Sequence, residues 1–249
     1  MKKIFKNKSL AISLGSVFLI FVILGIDYFT ADKNFRGHFN YNSEETFFGK
    51  LPTVPKIHAN IDVEWNFNSD ALTEIKNIST EKKLDKGLKL YRKGKYQKAI
   101  DIFSEILAEN PNNEIAYNRR GNVYLKLEQY DAAITDYNRA IALNPNYLKA
   151  YNNRGNAYFK LQLYESALAD YNRVIELNPN LEFARYNRGN IFAKLGNYDA
   201  AISDYNRALQ INPNFAEVYH NRGICYKNLG ENKKARADFK KAEQLGYKN

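Results

Sequence analysis

The sequence is poor in the residues that most enzymes and metal sites require. Its 249 residues include one cysteine, Cys225, and three histidines. A single cysteine excludes an internal disulfide and a zinc site built from several cysteines. His38, His58 and His220 lie far apart in the sequence, so a histidine-rich metal site or a Ser/His/Asp triad is not expected. No pair of carboxylates, nucleophile with a base or phosphate-binding glycine loop stands out. We therefore expect no enzyme activity, no metal and no cofactor.

Positive charge is in excess and is unevenly distributed. Lys and Arg number 37 against 27 Asp and Glu, which gives a net charge of +10. Residues 80–249 alone contribute +9. A hydrophobic fraction of 45% with 26% charged residues is typical of a globular chain. The C-terminal two thirds therefore form the basic body of the protein.

An apolar segment near the N-terminus predicts a membrane anchor. The chain carries no charge from Leu10 to Ile26, and a helix of that length spans roughly 25 Å, the short end of a bilayer crossing. A cleaved signal peptide is the alternative. Against it, the best cleavage site, Phe29-Thr30-Ala31, has a bulky residue where a small one is needed. We expect residues 1–30 to form a cytoplasmic N-terminus and an uncleaved transmembrane signal-anchor helix.

The charges around this segment predict its orientation. Four lysines precede it, whereas the residues after it carry both signs of charge. Positively charged flanks stay in the cytoplasm. We therefore expect a single-pass protein of the cytoplasmic (inner) membrane with its C-terminal body on the outer or periplasmic side.

Residues 31–79 are predicted to be an extended linker with one strand. Apolar and polar residues alternate from Ile57 to Asn68, which is typical of a half-buried strand. A lone strand is unstable and needs a partner. Phe35 to Tyr41 is a candidate for a second strand. The alternative is that the apolar face of the strand lies on the C-terminal body.

Residues 80–249 repeat with a period of 34. The repeated positions carry a glycine, an alanine and an aromatic residue, and four units close on a proline. The glycines are Gly87, Gly121, Gly155, Gly189 and Gly223; the alanines are Ala99, Ala133, Ala167, Ala201 and Ala235; the aromatics are Phe103, Tyr137, Tyr171, Tyr205 and Phe239; the prolines are Pro111, Pro145, Pro179 and Pro213. The period divides the segment into five units, 80–113, 114–147, 148–181, 182–215 and 216–249.

This pattern resembles the tetratricopeptide repeat (TPR) family, whose signature has these residue types at this period. The resemblance implies an all-α fold. Each unit would be a helix-turn-helix, and five units would stack as a right-handed superhelix (α-solenoid) with a concave peptide-binding groove. Recurring apolar spacing within each unit supports two helices independently.

Arginines recur before four of the glycines, and aspartates recur sixteen residues after each arginine. The pairs are Arg120 with Asp136, Arg154 with Asp170, Arg188 with Asp204, and Arg222 with Asp238. In an antiparallel helical hairpin, two residues sixteen positions apart on different helices lie at about the same level along the helix axes. We therefore predict structural ion pairs and not ligand-binding arginines.

Asparagines and lysines on the first helix of each unit predict the binding groove. The asparagines of the first series stand directly after a repeated glycine. Those of the second series stand two residues before the glycine of the following unit, 31 residues after their partners in the first series. The predicted peptide-binding residues are Asn122, Asn153, Asn156, Asn187, Asn190 and Asn221, with the row Lys126, Lys160 and Lys194. A carboxamide both donates and accepts hydrogen bonds, so a ladder of pairs suits the main chain of an extended peptide. The alternative is that the asparagines bond only each other and the lysines are a solvated face.

Two function classes follow from these features. The first is a non-catalytic scaffold anchored in the membrane that binds an extended, acidic segment of another protein, in assembly of an envelope complex. Only the asparagines of the family's carboxylate clamp are present, so a chaperone-tail clamp is not expected. The second class is nucleic-acid binding by a basic helical repeat. The expected core position of the tyrosines and the export signal argue against it.

Overall fold

The computed structural model describes residues 34–40, 60–66 and 69–248. The chain separates into two compact units, Met1–Ile75 and Lys76–Asn249. The expected membrane segment, Leu10 to Ile26, lies outside the described residues. Within the ranges that are described, no helix has both the length and the apolar character needed to cross a membrane.

The described part of the first unit includes a two-stranded antiparallel sheet. Strand β1 is Asn34–Asn40 and strand β2 is Asn60–Asn66. Phe35 lies opposite Trp65 and Phe39 opposite Ile61 in this register. Strand β2 falls within the segment where alternation predicts a strand, and it pairs with β1, which lies in the candidate segment near Phe35.

Ten helices follow within residues 69–248. They are α1 (Ser69–Arg92), α2 (Tyr96–Glu109), α3 (Glu114–Lys126), α4 (Tyr130–Leu143), α5 (Leu148–Lys160), α6 (Tyr164–Leu177), α7 (Glu182–Lys194), α8 (Tyr198–Ile211), α9 (Ala216–Asn228) and α10 (Asn232–Gln244). We call the odd-numbered helices the first helices and the even-numbered ones the second helices. Each first helix and the second helix that follows it form an antiparallel hairpin, so the expected all-α solenoid is confirmed for this part of the chain.

The boundary between linker and repeats differs from the sequence prediction. Helix α1 begins at Ser69, inside the segment 31–79 that was expected to be an extended linker. That boundary came from counting 34-residue periods back to Thr80, which says nothing about local helix formation. Residues 69–79 contain no Gly or Pro, the residues that most often end or break a helix. The helix therefore extends beyond the repeat pattern.

Each hairpin is held together by a close approach between a glycine and an aromatic ring. A Cβ atom added to Gly155 would lie 2.8 Å from Cε1 of Tyr171. Tyr171 is buried between the two helices, so a larger residue than glycine would push them apart. Between hairpins, Asn144 Oδ1 accepts a hydrogen bond from the Asn146 N–H at 3.1 Å, and Pro145 between them cannot continue the helix.

The first helices lie on the concave side of the stack. Helix α3 contacts α5, α5 contacts α7, and α7 contacts α9. Consecutive second helices make no such direct contact within residues 96–244. Because neighbours on the inner side of a curved stack are closer together, the first helices form the inner surface. The two predicted asparagine series therefore lie on the concave face.

Candidate functional site

The predicted arginine–aspartate ion pairs are confirmed. Arg154 donates from Nε to Oδ2 of Asp170 at 2.9 Å and from Nη2 to Oδ1 at 2.6 Å. The Asp170 side chain is 5% exposed and that of Arg154 is 19% exposed. Burial raises the pKa of the Asp170 carboxyl, and the hydrogen bonds from Arg154 act against this shift. The same bidentate geometry recurs in the other three pairs.

Each of these arginines also reaches the preceding hairpin. Nη1 of Arg154 donates to Oδ1 of Asn138 on α4 at 2.6 Å. The corresponding acceptors of the other arginines are Ser104, Asn172 and Asn206. The guanidinium of Arg154 also lies over the rings of Tyr151 and Tyr158, 5.5 and 5.8 Å from their centroids. One side chain therefore joins three helices, which makes it structural.

The two asparagine series form hydrogen-bonded pairs between consecutive first helices, as predicted. Asn153 Nδ2 donates to Asn122 Oδ1 at 2.8 Å, and Asn221 Nδ2 donates to Asn190 Oδ1 at 2.9 Å. The middle pair, from Asn187 Nδ2 to Asn156 Oδ1, is 3.3 Å long. Each pair bridges two hairpins along the concave face.

A buried tyrosine fixes one member of each pair. The hydroxyl of Tyr171 donates to Asn156 Oδ1 at 2.7 Å. Tyr137 and Tyr205 make the same bond to Asn122 and Asn190. Burial raises the pKa of these three tyrosines, so their hydroxyls stay protonated and act as donors. The carbonyl oxygen of each of these asparagines therefore accepts two internal hydrogen bonds.

The amide nitrogens of the first series remain available. Nδ2 of Asn122, Asn156 and Asn190 has no hydrogen-bond partner among the described residues. The one fully buried side-chain polar atom without a partner in residues 76–248 is Arg185 Nε, so these three Nδ2 atoms, on half-buried residues, keep some access to solvent. The first series thus offers donors to a ligand, while its carbonyl oxygens are occupied. In the second series the roles are reversed for Asn187 and Asn221: Nδ2 is bonded, and Oδ1 accepts no hydrogen bond from the described residues. The ladder as a whole therefore offers both donors and acceptors.

The lysine row lies at the ends of the same helices. Lys126, Lys160 and Lys194 are the last residues of α3, α5 and α7, and all three are exposed. No salt bridge involves them within the described residues. A lysine in the last turn also interacts favourably with the helix dipole, so the row has a structural role as well.

Other residues of the network were missed as site residues. Asn118 Oδ1 accepts from Asn153 at 3.1 Å, and Asn152 Oδ1 accepts from Asn187 at 3.1 Å. In the next hairpin the hydroxyl of Tyr186 takes this place, 3.3 Å from Asn221 Nδ2. All three residues stand three positions before a repeated glycine. This shared position in the repeat could have identified them from the sequence.

A metal-ligand cluster is absent from the part of the chain that the structure describes. No group of three or more His, Cys, Asp or Glu side chains comes together in it. Cys225 is buried, and burial raises its thiol pKa to about 11, which keeps it protonated and unreactive.

Comparison with protein families now identifies the fold. Four models described as TPR or tetratricopeptide repeat match residues 90–135, 121–162 with 189–230, 148–181, and 216–249. Together they cover more than half of the chain. The chain belongs to the tetratricopeptide repeat family.

Solved TPR structures share the same architecture. A crystal structure of MamA is 28% identical to this chain with a TM-score of 0.59, covering 64% of this chain and 93% of MamA. YrrB, described as a TPR protein with an unusual peptide-binding site, is 24% identical with a TM-score of 0.55, covering 66% and 84%. MamA from Desulfovibrio magneticus RS-1 is 20% identical with a TM-score of 0.61, covering 67% and 94%. A search of curated proteins found no significant match. The TPR fold is that of a protein-interaction scaffold.

Proposed function

We propose that this protein is a non-catalytic scaffold of five TPR repeats, anchored in the cytoplasmic membrane, that binds an extended, acidic segment of another protein. The observation that carries the proposal is the row of amide donors on Asn122, Asn156 and Asn190 that have solvent access and no hydrogen-bond partner among the described residues. Their orientation is fixed by buried tyrosines and by neighbouring asparagines. A donor that is already ordered loses little conformational entropy when it binds.

The spacing of these donors suits an extended chain. Packed helices lie about 8–10 Å apart. A polyproline II segment rises about 3.1 Å per residue with three residues per turn, so every third carbonyl recurs at about 9 Å on one side. Such a segment would present one carbonyl to each asparagine of the first series. Binding would then be through the main chain and would place few demands on the sequence of the partner.

The lysine row adds a preference for acidic side chains. Lys126, Lys160 and Lys194 are exposed and lie one turn beyond the asparagines. Attraction between exposed charges is screened over roughly 8 Å at physiological salt. The lysines therefore contribute a salt-dependent part of the affinity, and the asparagines a part that persists at high salt.

The proposed location rests on the sequence of residues 1–30. The lysines before Leu10 and the uncharged segment that follows support an uncleaved anchor with the repeats outside the cytoplasm, in assembly of an envelope complex. Nucleic-acid binding is the weaker alternative because Tyr137, Tyr171 and Tyr205 are buried and cannot stack on bases.

Crosslinking in cells tests both parts of the proposal. A photo-crosslinking amino acid at Lys160, at the groove, should capture one defined protein, and the same amino acid at Lys240 on α10 should not. Capture should disappear when Asn156→Asp and Asn190→Asp are added, because these changes remove the donors and keep the acceptors. Capture that persists would contradict the groove.

Location is tested separately. Full-length protein should fractionate with membranes and keep its N-terminus, and a reporter fused after Asn249 should be active only outside the cytoplasm. A soluble form that begins near residue 32 would show that the segment is a cleaved signal peptide instead.

A further inference from the structure

Helix α1 carries a row of lysines on one face. Lys82, Lys86 and Lys89 of α1 and Lys93, the residue directly after its end, follow the four-three-four spacing that aligns side chains on a helix, and all four are exposed. We call these four residues the lysine face. From Lys76 to Arg92 the chain has six basic and two acidic residues. One of the basic residues, Lys83, is paired with Glu105 and Glu109 of α2 and lies outside the lysine face.

In the later hairpins the same positions contact the preceding second helix. In the four later units the position of Lys82 is occupied by Ala116, Ala150, Ala184 and Val218. The position of Lys89 is occupied by Val123, Ala157, Ile191 and Cys225. All eight are fully buried. Ala116 and Val123 belong to one core cluster with Phe103 and Ile106 of α2. The counterparts of Lys86 are the arginines that reach the preceding second helix.

The lysine face therefore occupies the position at which the later first helices contact a helix. The corresponding surfaces of α3, α5, α7 and α9 each contact one, namely α2, α4, α6 and α8. On α1, lysines replace the small and apolar residues. A surface cavity of about 380 Å³ lies along the row, lined by Lys82, Asp85, Lys86, Lys89, Leu90 and Lys93. It combines four positive charges and the one negative charge of Asp85, a net charge of +3, with apolar surface from Leu90 and the lysine stems.

We propose that the lysine face binds an acidic helix of a partner protein, in the place that a preceding second helix would occupy. A row of Glu or Asp at matching helical spacing would put a carboxylate opposite each lysine. This surface is distinct from the asparagine groove, so the proposal does not depend on the function proposed above.

A second copy of the chain does not fit as the occupant. The last second helix in the described residues is α10, which carries Arg236 where the other second helices have Ile or Leu. Lys240 stands where Ser104, Asn138, Asn172 and Asn206 accept a hydrogen bond from the next first helix. Stacking α10 on the lysine face would bring like charges together, which is unfavourable.

Binding of designed peptides to the full-length chain in uncharged detergent micelles tests the proposal. The probe is a fluorescent alanine-based helix with Glu at positions spaced four, three and four residues apart, and its control has the same composition with Glu spread around the helix. Anisotropy at about 50 mM salt should show tighter binding of the aligned peptide. Lys86→Glu with Lys89→Glu should weaken that binding at least tenfold.

Two control variants separate the lysine face from a general effect of net charge and from the asparagine groove. Lys240→Glu with Lys241→Glu changes the net charge equally and should leave affinity within twofold. Asn156→Asp with Asn190→Asp should also leave it within twofold, because the groove lies on a different surface. Circular dichroism should show that each variant is folded.

Three results would overturn the proposal. They are failure of the aligned helix to bind the natural chain, an equal loss in both charge-reversal variants, and equal affinity for the two peptides. A single-stranded oligonucleotide and a soluble short-chain anionic phospholipid serve as further probes. If binding of either probe depends on Lys86 and Lys89 while binding of the acidic helix does not, the lysine face recognises that class of ligand instead.

Discussion

The carboxylate of Asp170 accepts two hydrogen bonds from Arg154, while the same guanidinium donates a third to Asn138 of the preceding hairpin. Asp170 is almost fully buried, and its charge is compensated by this one arginine. Stability in a repeat stack comes mainly from the interfaces between neighbours. The arginine therefore contributes both within its own hairpin and between hairpins.

Removing this arginine should be costly. We expect Arg154→Ala to lower the free energy of unfolding by about 2–4 kcal/mol, because Asp170 would remain charged and buried without a partner. The double variant with Asp170→Ala should lose less than the sum of the two single variants, as measured by urea unfolding. Arg173→Ala is the matched control, since its pair with Glu176 is exposed and should contribute at most about 1 kcal/mol. Additive losses at Arg154 and Asp170 would show that the pair does not act as a unit.

Arg185 is expected to be destabilising where it stands. Its Nε is buried without a hydrogen-bond partner, and Nη1 is 3.8 Å from Asp204. Burial lowers the pKa of Arg185. The equivalent residues in neighbouring hairpins are tyrosines, among them Tyr151, whose ring lies beside the Arg154 guanidinium. Arg185→Tyr should therefore raise the free energy of unfolding by about 1–2 kcal/mol, because it removes the unpaired donor and provides a ring for Arg188.

Urea unfolding measures this effect. The control Arg173→Tyr, at an exposed position, should change stability by less than about 0.5 kcal/mol. A loss of stability in Arg185→Tyr would mean that the arginine makes a favourable interaction in the folded chain.

The C-terminal turn should loosen in mild acid. The ring of His220 stacks on Tyr247 with centroids 4.2 Å apart, and burial lowers the pKa of His220 below its usual 6.5. The unfolded chain therefore binds more protons than the folded chain between these two pKa values. The stabilisation is complete above pH 6.5 and is lost as the pH falls toward the folded pKa.

Hydrogen exchange detects this loosening. After correction for the intrinsic rate, the Tyr247 amide, which donates to the Ala242 carbonyl, should be less protected at pH 5.5 than at pH 7.5. In His220→Phe the protection should be the same at both pH values. An unchanged pH dependence in that variant would assign the effect to another group.

Much of this architecture is predictable from the sequence because it repeats. The 34-residue period of glycine and aromatic residues indicates the helical hairpins, and fixed separations indicate the Arg154–Asp170 and Asn122–Asn153 contacts. Each of these contacts joins positions whose separation is set by helix geometry. The repeat makes such separations visible several times over.

The remaining details depend on individual atoms. The sequence does not show that the Tyr171 hydroxyl and the Asn187 amide both occupy Asn156 Oδ1, which leaves only Nδ2 for a ligand. It does not show that Nε of Arg185 lacks a hydrogen-bond partner, because that follows from local packing in one hairpin. The early start of α1 at Ser69 was missed because helix formation there does not follow the repeat.

The most direct test of the account measures binding of a neutral variant of the crosslinked partner segment at about 0.5 M salt, where charge effects are screened. Asn156→Asp with Asn190→Asp removes two groove donors and keeps the oxygen atoms that accept hydrogen bonds from Tyr171 and Tyr205. Tyr171→Phe with Tyr205→Phe removes the tyrosine hydroxyls and keeps the two groove donors. We predict that the aspartate variant loses binding at least tenfold while remaining folded. The phenylalanine variant should be less stable and still bind within about threefold. Full affinity in the aspartate variant would contradict the groove and make the segment from Ile57 to Asn68 the better candidate for the binding element.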